Sequence, residues 1–314
     1  MKITSGRRRT LSVVYVYAFL VVAFAAMSIA FPLFISNRNL TNILIQIAPL
    51  AIVSIGQAIV IIGGGVDLTV GSVVSLTTVL AANIMEPSLS GILFGLVLIF
   101  LSSALVGFVN GLICNETNIP PLIVTLCTSS IIQGIILWYR DSPGGKVPKT
   151  LCSVIMYKFN VISVPILIVL ILYGAFIIIM ARSKFGLYTY SIGDNEEYAR
   201  MAGINIKSVR IKNYIVSSLL ASIAGLVVAS RIRSGSPIVG NPYQLDSLTA
   251  VLVGGTPFTG GQGTIVGAFA GASIISIIRN ALNISGVSPF YQYFAKGALL
   301  IIALIVSSYG EWRK

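Results

Sequence analysis

Ten times along this chain an apolar run long enough, or nearly long enough, to cross a bilayer is set off by a short polar stretch. The runs are Leu11–Phe31, Ile43–Ile62, Leu68–Met85, Gly91–Ile113, Pro121–Tyr139, Ile162–Ala181, Tyr214–Ser230, Ser247–Gly260, Thr264–Leu282 and Tyr291–Ser308. A helix needs about 20 mostly apolar residues to cross the hydrocarbon core. The pattern therefore predicts an all-α integral membrane protein with about ten transmembrane helices, built as one polytopic domain over residues 1–314. A mean hydropathy of +0.94 and a charged fraction of only 10% agree. The eighth run is short and rich in Gly and Thr, which makes it the weakest of the ten. The first is too long for the apolar region of a signal peptide and has no small-x-small cleavage site, so it reads as a retained helix.

Basic residues set the orientation. Lys2, Arg7, Arg8 and Arg9 precede the first run and place the N-terminus on the cytoplasmic side. Ten crossings return Arg313 and Lys314 to that side. The stretch from Arg140 to Lys158 falls outside with four positive residues and departs from the rule. The net charge of +12 is mostly this topology signal, because the basic residues are scattered over loops and no soluble domain presents them to nucleic acid. Cys114, Cys127 and Cys152 show no metal or redox spacing and read as packing residues. The chain has no His. A zinc site, a His-based triad and an imidazole relay are excluded, so no metal, resident cofactor or enzymatic activity is expected.

One segment resists the apolar pattern. Between the sixth and seventh runs, Arg182 to Lys212 carries Arg182, Lys184, Asp194, Glu196, Glu197, Arg200, Lys207, Arg210 and Lys212. By the orientation above, this loop, 182–212, is cytoplasmic. Asp194-Asn195-Glu196-Glu197 has the capping-box pattern, with Asp194 as N-cap, and Gly203 suits the C-terminal stop. The helix between them would have about eight residues and a length of about 12 Å. Such a helix is marginal alone. Tyr198, Met201 and Ala202 share one face and Ile204 follows, which suggests packing against the bundle and against a docked partner. The alternative is a solvated loop helix with no partner.

The two halves of the chain echo each other. Val66-Asp67-Leu68-Thr69 opens one run and Leu245-Asp246-Ser247-Leu248-Thr249 another; Asn110-Gly111-Leu112 precedes Pro120-Pro121, and Asn280-Ala281-Leu282 precedes Pro289. Runs two to five and seven to ten would then form an inverted repeat, although drifting offsets leave chance matching open. Gly63-Gly64-Gly65-Val66-Asp67-Leu68-Thr69-Val70-Gly71-Ser72 interrupts two apolar runs. Its glycines let the chain leave the helix, and Asp67 can cap the next one by accepting from Thr69 or Val70. Asp67 and Asp246 each also read as gate residues, because an ionisable group near lipid is usually functional. Gly254-Gly255-Thr256-Pro257-Phe258-Thr259-Gly260-Gly261-Gln262-Gly263 contains the ATPase-like T-G-G-Q-G. Without any phosphate loop in the chain, its glycines point instead to a broken helix or close helix packing. Gln46 and Gln57 lie 11 residues apart on one face of the second run, lining either a wet path or a helix contact. Asn110 and Asn280 are further path candidates; Gln133, Trp138 and Gln292 are weaker ones.

These motifs together resemble the permease subunit of bacterial ABC importers for monosaccharides, the ribose/xylose/galactose-type family, from about Asn39 to Tyr309. Asn39-Leu40-Thr41-Asn42-Ile43-Leu44 leads in. Gly64 to Ser72 looks like the family's G-G-I-D-L-S-V-G-S, and Ile192 to Ile204 looks like its coupling loop. Leu252-Val253-Gly254-Gly255-Thr256 and Gly286-Val287-Ser288-Pro289-Phe290 complete the order. Asp194 replaces a glycine, Tyr198 replaces an alanine, and Gln57 sits where the family often has Met. The first two alter the docking surface, and the third alters the path.

The resemblance implies a transmembrane permease in the bacterial cytoplasmic (inner) membrane, with both termini inside. It further implies a cytosolic ATP-binding subunit that holds ATP-Mg, an extracytoplasmic sugar-binding protein, a second permease copy or related chain, and surrounding lipid. The ATPase would grip Asp194, Asn195, Glu196, Tyr198, Ala199, Arg200, Met201, Gly203 and Ile204. Gly64, Gly65, Asp67, Gly71, Asp246, Gly254 and Gly255 would form structural turns or gates. Two rival readings remain: an ion-coupled secondary transporter, and an ABC permease for amino acids or nucleosides.

Overall fold

A computed structural model describes residues 2–159, 162–288, 290, 291, 294, 297, 298 and 301, with side chains from residue 14 onward except at residue 162. The helices in chain order are α1 (Lys2–Ala30), α2 (Asn37–Ile62), α3 (Val70–Asn83), α4 (Leu89–Glu116), α5 (Pro121–Tyr139), α6 (Lys149–Ile155), α7 (Val164–Arg182), α8 (Lys184–Asp194), α9 (Glu196–Met201), α10 (Ile206–Ile232), α11 (Asn241–Val253) and α12 (Ile265–Ile284). A 3-10 turn, Pro32–Ile35, joins α1 to α2. Between α5 and α7 lie α6 and two two-residue strands paired antiparallel: β1 (Lys158–Phe159), in a stretch expected to be loop, and β2 (Ile162–Ser163), which takes the first two residues of the expected sixth span.

The chain punctuates its helices with local chemistry. Ser36, Ser88 and Thr264 cap α2, α4 and α12 by accepting from the backbone N–H of Asn39, Gly91 and Gly267. The ends of α2 and α11 share one device. Gly64 donates to the Ile61 carbonyl and Gly65 to that of Val60, while Gly255 donates to Leu252 and Thr256 to Val251. Gly64 at φ +79° and Gly255 at φ +85° hold the left-handed position that this motif requires.

Among the described residues six helices are long and apolar enough to cross a membrane: α2, α4, α5, α7, α10 and α12. The sequence-based bounds of α5 are reproduced. Two expected spans are corrected. The third becomes α3, of 14 residues, and the eighth becomes α11, of 13 residues. Both are about 20 Å long at 1.5 Å per residue, against a hydrocarbon core of about 30 Å. Residues 63–69 stay non-helical before α3, and α11 starts six residues earlier than expected. Asp246, which reads as the opening of the eighth run, is helical. The tenth expected span, Tyr291–Ser308, lies mostly outside the described residues, as do Pro289, Gln292, Arg313 and Lys314.

α2 is the axis of the bundle. Its most apolar window is 94% buried, against 28% for α4 and α5 and 22% for α7. α10 packs on α4, α2 and α3, and α2 packs on α10, α12, α11 and α7. Exchanging α2 with α10, α3 with α11 and α4 with α12 therefore maps contacts onto contacts, as two related halves require. Close approach is bought with glycine: a Cβ at Gly107 would lie 2.5 Å from the Tyr214 carbonyl oxygen and 2.6 Å from Ile215 Cα. Gly56 sits similarly on Ser217.

Gly107→Ala should therefore push α4 off α10 and destabilise the protein by about 1–3 kcal/mol. Gly174→Ala in α7, where a Cβ meets nothing within 4 Å, should be neutral or slightly stabilising. Thermal unfolding in detergent compares the two.

Candidate functional site

The polar insert folds into α8 and α9, and the structure corrects its cap. Asp194 ends α8, and Asn195 caps α9 by accepting from the Tyr198 N–H at 2.9 Å. The helix has six residues rather than eight. Its far end is as expected. Gly203, at φ +79°, donates to Arg200 and Ile204 donates to Ala199, closing the turn. Tyr198 and Met201 are 71% and 78% exposed, large apolar side chains turned away from the protein. Ala199, expected on the docking face, is instead buried with Ile192, Ile206 and Val209. It therefore holds α9 onto its own chain.

Polar contacts fix α9 to the bundle. Glu196 pairs with Arg210 of α10 at 2.7 Å and with Arg200 at 3.6 Å. Arg210 also donates to the Cys114 carbonyl and to Asn115 Oδ1 of α4, at 3.3 and 3.2 Å. Lys207 forms an ion pair with Glu116. Through these contacts α9 sits on the adjoining ends of α4 and α10.

Just before α9 three backbones meet. A Cβ on Gly193 would overlap the Ile62 carbonyl oxygen at the end of α2 and lie 2.6 Å from the Gly261 nitrogen. Gly261 donates to Ile62 O at 2.8 Å. A Cβ on Gly260 would lie 3.0 Å from Gly64 Cα, and one on Gly261 would lie 2.6 Å from Asp194 Cα. The end of α8 thus touches both helix breaks, the one after α2 and the one between α11 and α12. The T-G-G-Q-G segment is part of this junction.

Asp67 lies fully buried in the break before α3. Its carboxylate accepts from the Thr69 N–H at 2.9 Å, from the Thr69 hydroxyl, and from Ser217 of α10 at 2.7 Å. The expected bond from the Thr69 N–H forms, but Thr69 is itself the N-cap residue of α3 and no side chain caps that helix. Asn110 of α4 donates to the Thr69 hydroxyl at 3.1 Å. The neighbouring Val66 carbonyl accepts from Tyr214 and Thr125, both at 3.2 Å. A Cβ on Gly65 would press on the Tyr214 hydroxyl at 2.7 Å. The non-helical strand 65–69 is thus fastened to α4, α5 and α10.

Asp246 does not mirror Asp67. It lies inside α11, buried, and forms an ion pair with Arg279 of α12. Gly71 packs at the start of α11, where its Cβ would meet the Gly240 carbonyl at 2.8 Å, and Gly254 packs on Gly267 of α12. Asn280 exchanges hydrogen bonds with Asn39 at 3.0 and 3.1 Å and so ties α12 to α2. Gln133 donates to the Pro237 carbonyl at 2.9 Å, and Trp138 is 88% exposed. Gln46 borders a polar cavity at the end of α10 away from α9, and Gln57 is fully buried with neither amide atom bonded. Arg279, which borders the same cavity, carried no signal in the sequence. Among the described residues no cluster of three metal-ligating side chains occurs. Cys114 and Cys152 are buried, whereas Cys127 is exposed rather than packed.

Residues 39–304 match the family described as branched-chain amino acid transport system / permease component. The chain is 34% identical over 295 residues to the ribose import permease protein RbsC of Haemophilus influenzae, covering 92% of this chain and 91% of the relative. It is 32% identical over 294 residues to the ribose import permease protein RbsC of Escherichia coli, covering 92% and 91%. It is 31% identical over 322 residues to the galactose/methyl galactoside import permease protein MglC of Escherichia coli, covering 95% of both chains. No solved structure gives a significant match.

Asp67→Ala should leave the Ser217 and Thr69 donors buried without an acceptor, at a cost of about 2–5 kcal/mol. Asp67→Asn keeps an acceptor for Thr69 and should cost less. The thermal midpoints of the two purified variants measure the difference.

Proposed function

This chain belongs to the branched-chain amino acid transport system / permease component family, and on that premise we propose that it is the permease subunit of an ATP-driven monosaccharide importer. The sugar reading is supported by the printed functions of relatives that share 31–34% identity over more than nine-tenths of the chain. The observation that carries the coupling role is α9. It is a short helix with exposed Tyr198 and Met201, bolted by Glu196 and Arg210 to α10. Six residues cannot hold a helix alone, so a push or pull on this face is transmitted to the bundle rather than absorbed.

In this reading residues 182–212 form a cytoplasmic loop on one polytopic domain, with both termini inside and the bacterial inner membrane as the location. A separate cytosolic subunit binds ATP-Mg and hydrolyses it. Tyr198, Met201 and Gly203 meet that subunit, and Asp194, Asn195, Glu196, Arg200 and Ile204 shape the helix it grips. An extracytoplasmic sugar-binding protein delivers solute, and a second permease copy completes the path. Lipid covers the exposed apolar flanks of α4, α5 and α7. Closure of the ATPase pair displaces α9 and with it α8, whose Gly193 rests on both helix breaks. Access switches only because the ATP-bound partner holds α9 differently in the two states. An ion-coupled transporter would keep a mid-membrane carboxylate open to its ion. Asp67 is instead held by hydrogen bonds from Thr69 and Ser217, and Asp246 is paired with Arg279.

Gly203 offers a clean test, because no atom lies within 4 Å of where its Cβ would stand. Asn and Asp both tolerate its backbone conformation, so the pair isolates charge. Gly203→Asp should cut ATP-dependent sugar uptake by about tenfold or more, since 1.4 kcal/mol of lost docking already gives tenfold. Gly203→Asn should retain most of it, and both should elute as folded protein. Normal uptake by the Asp variant would remove the docking role from this helix.

A further inference from the structure

The end of α10 away from α9 borders a cavity of about 230 Å³ lined by Gln46, Arg231, Tyr243, Ser276, Arg279 and Asn283. These side chains come from α2, α10, α11 and α12. Each can hydrogen-bond, a sharp contrast with the apolar core packed below them. Arg279 is paired with the buried carboxylate of Asp246, so the inner wall is neutral overall while offering a fork of donors. Arg231 is exposed and stands at the rim. Gln46 and Asn283 supply amides that both donate and accept, Ser276 supplies a hydroxyl, and Tyr243 adds an aromatic face. α11, which contributes Tyr243 and Asp246, is one of the two helices too short to span. Short segments at matching places in two repeats mark binding sites in transporters.

A second observation lies on the same face of α2. Gln57 follows Gln46 by 11 residues, or three turns, and so sits about 16 Å further along the helix. Its side chain is fully buried and neither amide atom has a partner. An unpaired buried amide is costly, a cost that an apolar side chain such as Leu would not carry. An unsatisfied glutamine on the helix face that also carries a cavity-lining residue has the properties of a contact filled during passage.

We propose that this permease has a solute site of its own, formed by Gln46, Tyr243, Ser276, Arg279 and Asn283, that takes a single-ring polyhydroxylated solute. Gln57 is the next contact inward. The cavity lies below the roughly 300 Å³ where drug-sized pockets begin, which suits one sugar ring. Hydroxyls that donate and accept are matched by the Gln46 and Asn283 amides, which do both, and by the guanidinium donors of Arg279. The site makes the membrane subunit a second selector of solute, and this inference rests on the sugar-importer reading.

The test uses the full chain purified in mild detergent, with D-ribose and D-galactose as probes in equilibrium dialysis. Uptake of the same sugars into cells carrying the complete transporter is measured alongside. Saturable binding of one of them is expected, weakened about three- to tenfold by Gln46→Ala and by Asn283→Ala, the loss of one hydrogen bond each. Asn283→Ser serves if the Ala variant elutes as aggregate. Gln57→Leu should raise the thermal midpoint while lowering uptake, a combination that a packing role does not give. Uptake by the wild type without saturable binding, or binding indifferent to both cavity variants, overturns the site. Normal uptake by Gln57→Leu overturns the inward contact. Uptake of neither sugar by the wild type overturns the sugar reading underneath.

Discussion

Inside a bilayer no water is present to satisfy a backbone that leaves the helix, so every such stretch must find partners in the protein. Residues 65–69 meet that requirement through Asp67. The carboxylate collects the Thr69 N–H and hydroxyl and the Ser217 hydroxyl, while Tyr214 and Thr125 cover the Val66 carbonyl. Once this strand is fixed, α3 can start only at Val70. It is then too short to span, and α10 must lie against it to supply Ser217 and Tyr214. The glycines at 56, 65 and 107 follow from the same demand, because α2, α4 and α10 must approach closely enough to enclose the break.

Much of this architecture was legible in the sequence, because hydropathy sets where a helix can lie in lipid. The limits of α5 and the glycine stop of α9 were read directly. The structure departs from the sequence-based expectation where two residues compete for one local role or where a partner lies far along the chain. Asp194 and Asn195 are both good caps, and α8 absorbs the first, leaving the second. Asp246 reads as a helix boundary because its partner, Arg279, is 33 residues away. Asn280 reads as a path residue, yet it is spent on Asn39 across 241 positions. Periodicity did place Gln46 and Gln57 on one face, but only the fold shows that one borders a cavity and the other lacks any hydrogen bond. The short α6 and the β1–β2 pair carry too little pattern to be seen among polar residues.

The two ends of the bundle differ in construction. At the α9 end, charges are paired across elements, Glu196 with Arg210 and Glu116 with Lys207, and glycine backbones touch without side chains between them. Contact of this kind is stiff, since no rotamer can absorb a displacement. A load on α9 therefore reaches the end of α2 and the 254–264 segment together. At the other end the side chains are polar and the packing leaves a cavity. In the proposed importer, force would enter at the stiff end and solute at the open polar end, the division of labour that an access switch requires.

In the proposed mechanism, motion begins at α9 and is driven by a nucleotide-binding partner. The most direct measurement is sugar uptake into proteoliposomes that contain either the purified chain alone or the chain with its ATPase and binding protein. Each preparation is supplied in turn with internal ATP and with an imposed ion gradient. Uptake is expected only from the complete assembly with ATP, unchanged when the gradient is collapsed. Uptake by the chain alone under an ion gradient would contradict this mechanism.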